Sequence, residues 1–342
     1  MYKDFFGLER LPFNLTPDPA FLYLPPKHRE ALAGLTYAIQ ERKGFAVLSG
    51  DAGTGKTTLI NSVLSRLPAD RVESSMMLNP TVTPTEFLES VLLDFDIPDV
   101  PASKAQRLWK LQHFLAQAHQ EKRLALLIID EAHKLSLELL EEIRLLGNFE
   151  SASEKFLQIL LVGQSELDDL LDRPDLRQFK QRIALRLYIA ALTPAEVREY
   201  VCFRWAKGGA QSPPPFTPDA IQGVAQWSQG IPRLINSICD TALLMACGEE
   251  SPLVGLNYVR AAAASLALGD TSALSQSASV SGATVVNSQR STMPTFVEEP
   301  GHSSVAVSSA LDSHPLPKFA TYGDSNANSS LLKRLAEKFG IF

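Results

Sequence analysis

The residues that decide the fold are Phe45-Ala-Val-Leu-Ser-Gly-Asp-Ala-Gly-Thr-Gly-Lys-Thr57. A short apolar run, residues 45–49, leads into Gly50-Asp-Ala-Gly-Thr-Gly-Lys-Thr57, which matches G-x-x-x-x-G-K-[ST] at every fixed position. The pattern predicts a strand, a glycine-rich loop and a helix that begins near Lys56. Backbone N–H groups in such a loop point at phosphate oxygens, and the helix N-terminus adds partial positive charge. The stretch therefore predicts a phosphate-binding loop.

Two side chains of this loop have predicted roles in holding a nucleotide. We expect Lys56 to reach the β- and γ-phosphates of ATP and the Thr57 hydroxyl to ligate Mg²⁺. ATP and Mg²⁺ are therefore the expected cofactors. The predicted nucleotide-contacting residues are Gly50, Asp51, Ala52, Gly53, Thr54, Gly55, Lys56, Thr57 and Thr58.

A pair of acidic residues follows a second apolar run. Residues 124–129 are apolar on both faces, as in a central strand of a parallel sheet, and Asp130 and Glu131 come directly after them. Carboxylates at the carboxyl end of such a strand face the ligand crevice. We predict that Asp130 holds Mg²⁺, mostly through water, and that Glu131 orients or deprotonates the attacking water.

Other segments extend the pattern of strands and helices. Further strand candidates are 72–78, 157–162 and 183–189, and amphipathic helices are predicted at 84–94, 103–121 and 136–147. Alternating strands and helices predict an α/β fold with a parallel sheet covered on both sides. Gln164 follows the strand at 157–162, so it should reach the same crevice and sense the γ-phosphate or position water.

The letters Asp130-Glu131-Ala132-His133 permit a second interpretation, because they also occur in DEAH-type helicases. A helicase would need a second nucleotide-facing α/β core with an arginine-rich motif. Only helical and linker patterns follow residue 190, so His133 is instead expected to be a hydrogen-bonded residue at a helix start.

The chain divides into four predicted regions. The assigned regions are an ATPase core at 1–192, an all-helical lid at 193–268, a disordered Ser/Ala-rich linker at 269–328 and an amphipathic helix at 329–342. Thr193-Pro194 and Thr217-Pro218 mark helix starts in the lid. The terminal helix has two open interpretations: a frayed helix without a role, or a tethered docking peptide for a partner groove or membrane surface.

Charge and cysteine content limit the classes of partner and compartment. The formal net charge of −6 argues against non-specific coating of nucleic acid, although a local basic patch could still bind it. Three cysteines, Cys202, Cys239 and Cys247, are expected to be reduced, buried thiols.

The sequence has neither a signal-peptide pattern nor the run of roughly 18 apolar residues that a membrane-spanning helix needs. The chain is therefore expected in the cytoplasm, or at the inner membrane where a partner holds it.

Several motifs together resemble the AAA+ ATPases of the general secretion pathway protein A family, which includes ATPases of pilus and exopolysaccharide-export systems. The resemblance covers about residues 1–268. Besides the phosphate-binding loop, it rests on Tyr2-Lys-Asp-Phe-Phe-Gly-Leu8, Pro12-Phe13, Pro17-Asp-Pro19, Phe21-Leu-Tyr-Leu24, His28-Arg-Glu-Ala-Leu32, Ile129-Asp-Glu-Ala-His133, Leu139-Leu-Glu-Glu-Ile-Arg-Leu-Leu146, Asn148-Phe-Glu150, Val162-Gly-Gln-Ser-Glu-Leu167, Arg177-Gln-Phe-Lys-Gln-Arg182 and Gly230-Ile-Pro-Arg-Leu-Ile-Asn236.

The resemblance implies roles for single residues. Gln164 corresponds to the sensor 1 position, and Arg233 to the sensor 2 arginine that reaches the phosphates from the lid. Arg182 corresponds to an arginine finger that enters a neighbour's site, with Arg177 in reserve, so hydrolysis would depend on assembly into an oligomer. The family also implies a sheet order of 5-1-4-3-2 and places residues 17–28 near the adenine.

For the whole chain, the resemblance implies a homo-oligomeric ATPase that assembles or regulates a cell-envelope secretion, pilus or export complex. Family members that serve secretion often continue into a membrane span and a wall-binding region. The linker at 269–328 does not resemble these regions, so direct action on peptidoglycan is not expected.

Two alternative functions stay open. One is an ATP-dependent DNA-binding protein of the transposition-targeting type, although no basic, aromatic-interleaved surface stands out. The other is a slow switch or scaffold that acts through the terminal helix.

Overall fold

The computed structural model describes residues 2–16, 18–152 and 154–268. The predicted linker at 269–328 and the predicted terminal helix at 329–342 lie outside the described residues. The strands are β1 Phe45–Gly50, β2 Val72–Met77, β3 Leu124–Ile129, β4 Leu157–Val162 and β5 Ile183–Ile189. The helices are α1 Tyr2–Phe5, α2 Pro26–Gln40, α3 Lys56–Leu64, α4 Pro84–Asp94, α5 Lys104–Gln120, α6 Leu137–Leu146, α7 Glu166–Leu171, α8 Arg177–Lys180, α9 Pro194–Lys207, α10 Pro218–Ser228, α11 Pro232–Gly248 and α12 Leu256–Ser265.

The strands form one parallel sheet in the order β2-β3-β4-β1-β5. This order is 5-1-4-3-2 counted from the other edge, so the predicted topology is confirmed. The strand β1 lies between β4 and β5, where Val47 pairs with Leu161 on one side and with Arg186 on the other. The carboxyl ends of β1, β3 and β4 therefore meet at one edge of the sheet.

Side chains of the central strands alternate between two separate cores. Phe45 and Val47 pack on the face that α4, α5 and α6 cover, whereas Ala46 and Leu48 pack on the face that α2 and α3 cover. All six residues of β3 are buried, as a strand covered on both faces requires. The apolar runs of the sequence therefore correspond to strands with helices on both sides.

After β5 the described chain is helical, with α10, α11 and α12 packed on one another and α9 against α10. Helix α9 begins at Pro194, where Thr193 and Glu196 form a capping box. Helix α10 begins at Pro218, as Thr217-Pro218 predicts. These helices enclose a third core.

The N-terminal segment packs against these helices and not against the sheet. Tyr2, Leu8 and Phe13 are buried in the third core. The Tyr2 hydroxyl donates to the Asp240 carboxylate, and the amides of Glu9 and Arg10 donate to Gly208 O at 2.9 and 3.0 Å. The predicted core at 1–192 includes this segment, and that division stays a prediction, while the segment's apolar side chains share a core with α9, α10, α11 and α12.

One prediction about the cysteines is wrong. All three are free, and Cys239 is buried, but Cys202 is exposed and Cys247 is half-buried. Cys202 lies on the outer face of α9, whose buried positions include Val197, Val201 and Trp205. Helical periodicity therefore turns Cys202 away from the core.

Candidate nucleotide-binding site

The loop between β1 and α3 has the backbone that its glycines permit. Gly53 and Gly55 have positive φ angles of 81° and 99°, which residues with a Cβ adopt only with strain. Helix α3 begins at Lys56, and Gly55 precedes it as the N-cap without a side-chain hydrogen bond. The loop and the helix N-terminus therefore form a cradle suited to an anion.

Lys56 is the buried cation of this cradle. Its Nζ donates to Gly50 O at 2.6 Å and to Asp51 O at 2.8 Å. Burial lowers the pKa of Lys56, while the carboxylates of Asp130, Glu131 and Asp51 act in the opposite direction. A partly desolvated ammonium beside the curled loop is suited to bind phosphate oxygens.

The two acidic residues after β3 occupy different environments. Burial raises the pKa of Asp130, whose Oδ1 accepts a hydrogen bond from the Glu131 amide at 2.8 Å. Asp130 and Thr57 both line the pocket and offer oxygen atoms, the donor type that Mg²⁺ prefers. A half-buried carboxylate and a hydroxyl that line the same pocket fit the predicted metal site.

Glu131 has a left-handed backbone, with φ 52° and ψ 32°, at the start of a short 3-10 turn, Ala132–Lys134. Such a conformation is uncommon for a residue other than glycine and concentrates at functional sites. Burial would raise the pKa of Glu131, but the hydrogen bond and charge of Lys134 and a hydrogen bond from Gln164 bring it below its ordinary value. The side chain is therefore ionised and held by several partners.

Gln164 lies at the carboxyl end of β4, next to Glu131 in the same pocket. Its backbone amide donates to Nδ1 of His133 at 3.3 Å. His133 is therefore a hydrogen-bonded residue of the turn after Glu131, as the sequence predicts. The structure thus brings Lys56, Asp130, Glu131 and Gln164 together at one edge of the sheet.

The pocket above this edge has a volume of about 460 Å³, a size typical of small-molecule sites. The loop and the acidic residues form its floor, and helices α9 and α11 contribute Tyr200, Arg204, Arg233 and Asn236. The N-terminal segment contributes residues such as Asn14, Phe21 and Tyr23. Residues from the predicted 17–28 segment therefore line the pocket, although their contact with adenine stays a prediction.

Arg233 lies in the pocket wall, directly after Pro232 at the start of α11. Its backbone amide donates to Gly53 O at 3.3 Å. A Cβ on Gly53 would lie 2.9 Å from the Arg233 Cβ, so the glycine lets the loop approach α11 closely. Arg233 is exposed and lines the pocket, as its predicted role requires.

Arg182 does not line this pocket. Its Nη1 donates to Arg144 O at 3.1 Å and to Asn148 Oδ1 at 2.6 Å, at the end of α6. Arg177 is exposed on the short helix α8, also outside the lining of the pocket. The structure therefore separates both arginines from the site of their own chain.

Sequence reasoning missed the network that connects the pocket wall to the N-terminal segment. Arg204 is buried, and its guanidinium donates to Pro12 O, to Asn14 O at 3.2 Å and to the Tyr200 hydroxyl at 3.0 Å. The Tyr200 hydroxyl donates in turn to Asn236 Oδ1 at 2.9 Å. In a sequence, a buried arginine of a helix looks the same as an arginine that is exposed to solvent. Only the family motifs at Pro12-Phe13 and Asn236 therefore pointed toward this region.

Comparison with known sequences agrees with this arrangement. Residues 39–171 match the family model described as an AAA domain. The chain is 42% identical over 253 residues to the general secretion pathway protein A of Aeromonas hydrophila, which is 73% of this chain and 46% of that protein. The chain therefore spans a little under half the length of this relative. None of the helices in the described part of the chain has the length and apolar character of a membrane span.

Two solved structures have a similar fold. The Aeropyrum pernix ORC1 protein in complex with DNA has a TM-score of 0.56 and 20% identity, with 75% of this chain and 69% of that chain covered. The Aeropyrum pernix ORC2 protein has a TM-score of 0.54 and 17% identity, with 72% and 70% covered. At these identities the similarity concerns the fold alone. The chain therefore has the AAA ATPase P-loop fold, and its sequence match makes it a homologue of general secretion pathway protein A.

Proposed function

We propose that this protein binds and hydrolyses Mg-ATP as an oligomeric ATPase. The observation that carries the proposal is the meeting of a buried Lys56 with Asp130, Glu131 and Gln164 below a pocket lined by Arg233. In this assignment Lys56 binds the phosphates, Glu131 activates water, and Gln164 and Arg233 respond to the γ-phosphate. Thr57 and Asp130 hold Mg²⁺, which when bound stabilises negative charge on the phosphoryl oxygens.

The proposed oligomer rests on the position of Arg182. This guanidinium lies outside the pocket of its own chain, so it can act on a phosphate only in a neighbouring subunit. An arginine supplied in this way stabilises charge that develops in the transition state. Arg177, exposed on α8, is the second candidate.

For the cellular role, we propose assembly or regulation of a cell-envelope secretion, pilus or exopolysaccharide-export complex. The support is the 42% identity to general secretion pathway protein A. In this role the protein acts in the cytoplasm, or at the cytoplasmic side of the inner membrane where a partner holds it. The proposed organisation is a core at 1–192, a lid at 193–268, a linker at 269–328 and a terminal helix at 329–342.

The test measures ATP turnover of the purified chain against its concentration. Glu131→Gln is expected to bind ATP but to lose turnover, since the amide cannot take a proton from water. Arg182→Ala is expected to lose turnover without loss of ATP affinity. A rate per subunit that is constant with concentration and insensitive to Arg182 would contradict the oligomeric site.

Mixing the two variants separates a shared site from a site within one chain. A subunit with Arg182→Ala keeps Glu131, and a Glu131→Gln neighbour can supply the missing arginine. We therefore expect the mixture to regain part of the turnover that each variant lacks alone. Absence of recovery, with both variants able to form oligomers, would assign the arginine to another residue, and Arg177→Ala is the next variant to mix.

A further inference from the structure

His133 lies between the end of β4 and the carboxylate of Glu131. Its side chain is 12% exposed, and its Nδ1 accepts a hydrogen bond from the Gln164 amide at 3.3 Å. Gly163 makes this approach possible, because a Cβ there would lie 3.2 Å from His133 N and 3.0 Å from the Leu167 Cβ. The ring is thus held on one side by the backbone that follows β4.

The hydrogen bond at Nδ1 determines whether the other ring nitrogen, Nε2, carries a proton. A neutral imidazole whose Nδ1 accepts carries its proton on Nε2. The Nε2 atom lies 3.5 Å from Oε2 of Glu131. The assigned tautomer therefore directs an N–H group at the carboxylate oxygen.

Lys134 contacts the same carboxylate oxygen in a different way. Lys134 Nζ lies 3.1 Å from Glu131 Oε2, but the Lys134 side chain is 52% exposed. Ion pairs of exposed, flexible side chains contribute little, because water screens the charges and ordering the side chain opposes the contact. The enclosed ring, fixed at its other nitrogen, is the better element for holding a carboxylate in one orientation.

We propose that His133 is a positioning residue for Glu131, and that it connects the backbone of Gln164 to the orientation of this carboxylate. The inference rests on the proposed function, in which Glu131 activates the attacking water. It assigns to the fourth letter of Asp130-Glu131-Ala132-His133 a role that needs no helicase core. A displacement of Gln164 is transmitted through the ring to Glu131, so the sensing residue and the base move together.

Two substitutions separate the two contacts of the ring, the hydrogen bond from the Gln164 amide and the approach of Nε2 to Glu131. His133→Asn keeps an acceptor near the place of Nδ1 and removes the N–H group that faces Glu131. His133→Gln keeps a donor near the place of Nε2 and removes the acceptor for the Gln164 amide. We expect His133→Asn to lower kcat by about tenfold or more, with KM for ATP and the melting temperature little changed. We expect a smaller loss of kcat for His133→Gln, because this variant keeps a donor for Glu131 and gives up only the anchor to the Gln164 amide.

The same assay distinguishes failure of this inference from failure of the proposed function. If wild-type turnover is absent or independent of Glu131, both are overturned. If turnover depends on Glu131 but His133→Asn has wild-type kcat, or both variants lose kcat equally, only the positioning role is overturned. Lys134→Ala is expected to lower kcat less than His133→Asn does, and the reverse order would also contradict the proposal.

A double variant adds a readout that a merely structural residue would not give. In a Glu131→Gln background, His133→Asn is expected to cause no further loss of the residual rate, since its effect acts through the carboxylate. Independent, multiplying losses would indicate that His133 acts elsewhere and would overturn the proposal.

Discussion

Leu192 and Gly230 join the sheet to the helical part of the chain through a direct backbone contact. The Leu192 amide donates to Gly230 O at 2.9 Å, and a Cβ on Gly230 would lie 1.9 Å from Leu192 O. Gly230 has a φ of 75°, and it precedes the start of α11, where Arg233 lies. The contact therefore holds the arginine of the pocket wall at a defined place relative to β5.

Gly230→Ala should accordingly damage both stability and nucleotide binding. The added methyl group overlaps a backbone oxygen, and the positive φ adds strain, so we expect a loss of about 2 to 4 kcal/mol in the free energy of unfolding. Thermal and denaturant unfolding measure this loss. Gly248→Ala is the matched control, because no atom lies within 4 Å of its added Cβ at the end of α11. Equal stability of the two variants would contradict the close approach of Gly230 to Leu192.

Lys56→Met should separate folding from nucleotide binding. The ammonium is the buried cation of the loop, so its removal should abolish the rise in melting temperature that ATP produces. For the wild type at 100 times the dissociation constant, that stabilisation is about 2.7 kcal/mol. Lys122→Met is the control. It changes an exposed lysine that lies before β3, at the end of the strand away from Asp130, and it should keep the full rise in melting temperature with ATP. A normal ATP response in Lys56→Met would refute the assignment.

Arg204→Met should loosen the N-terminal segment. The guanidinium is buried and donates to Pro12 O, Asn14 O and the Tyr200 hydroxyl, all of which would lose a charged donor. We expect a loss of about 2 to 4 kcal/mol in stability and weaker ATP binding, because Asn14 lines the pocket. Limited proteolysis of the segment and ATP titration measure the two effects. Arg198→Met, at an exposed position of α9, should change neither.

His28 should make stability depend on pH. Burial lowers the pKa of His28 below its ordinary value of 6.5, and its Nε2 lies 3.5 Å from Thr54 O in the phosphate-binding loop. The unfolded chain therefore binds the proton more readily, so this residue's contribution is complete above pH 6.5 and is lost as the pH falls toward the folded-state pKa. His28→Gln keeps a donor for Thr54 O without the titration. Its melting temperature should fall less than that of the wild type between pH 7.5 and 5.5. An equal fall in both proteins would contradict the contribution of His28 to the pH dependence.

Local sequence patterns predicted the sheet well because its strands are buried on both faces. The run at 124–129 has no polar position, so its continuous apolar character identifies a central strand, and the loop motif predicts the turn and helix after β1. Helix α2 was harder to predict. Part of its inner face is the small residues Ala31, Gly34 and Ala38, and a Cβ on Gly34 would lie 3.3 Å from Leu185 Cδ2. Close approach to β5 requires small side chains there, and small side chains give a weak periodic signal.

Contacts between distant segments left no local signal at all. Two of the partners of Arg204, the carbonyl oxygens of Pro12 and Asn14, lie 190 or more residues away. No helical or strand period encodes such a pairing, and the same holds for Nδ1 of His133 and the amide of Gln164. The residues of the site that come from motifs were therefore predictable, whereas the residues that hold them in place were not.

The pairing of Tyr2 with Asp240 spans 238 residues, which has a consequence for how the chain is made. On the ribosome, the segment that contains Tyr2, Leu8 and Phe13 emerges long before α9 and α11 exist. During that interval its apolar side chains have no native partner, so they are exposed to chaperones and to aggregation. The nucleotide pocket can close only when translation has passed α11, so a segment made long before α9 is among the last parts of the described chain to reach its final position.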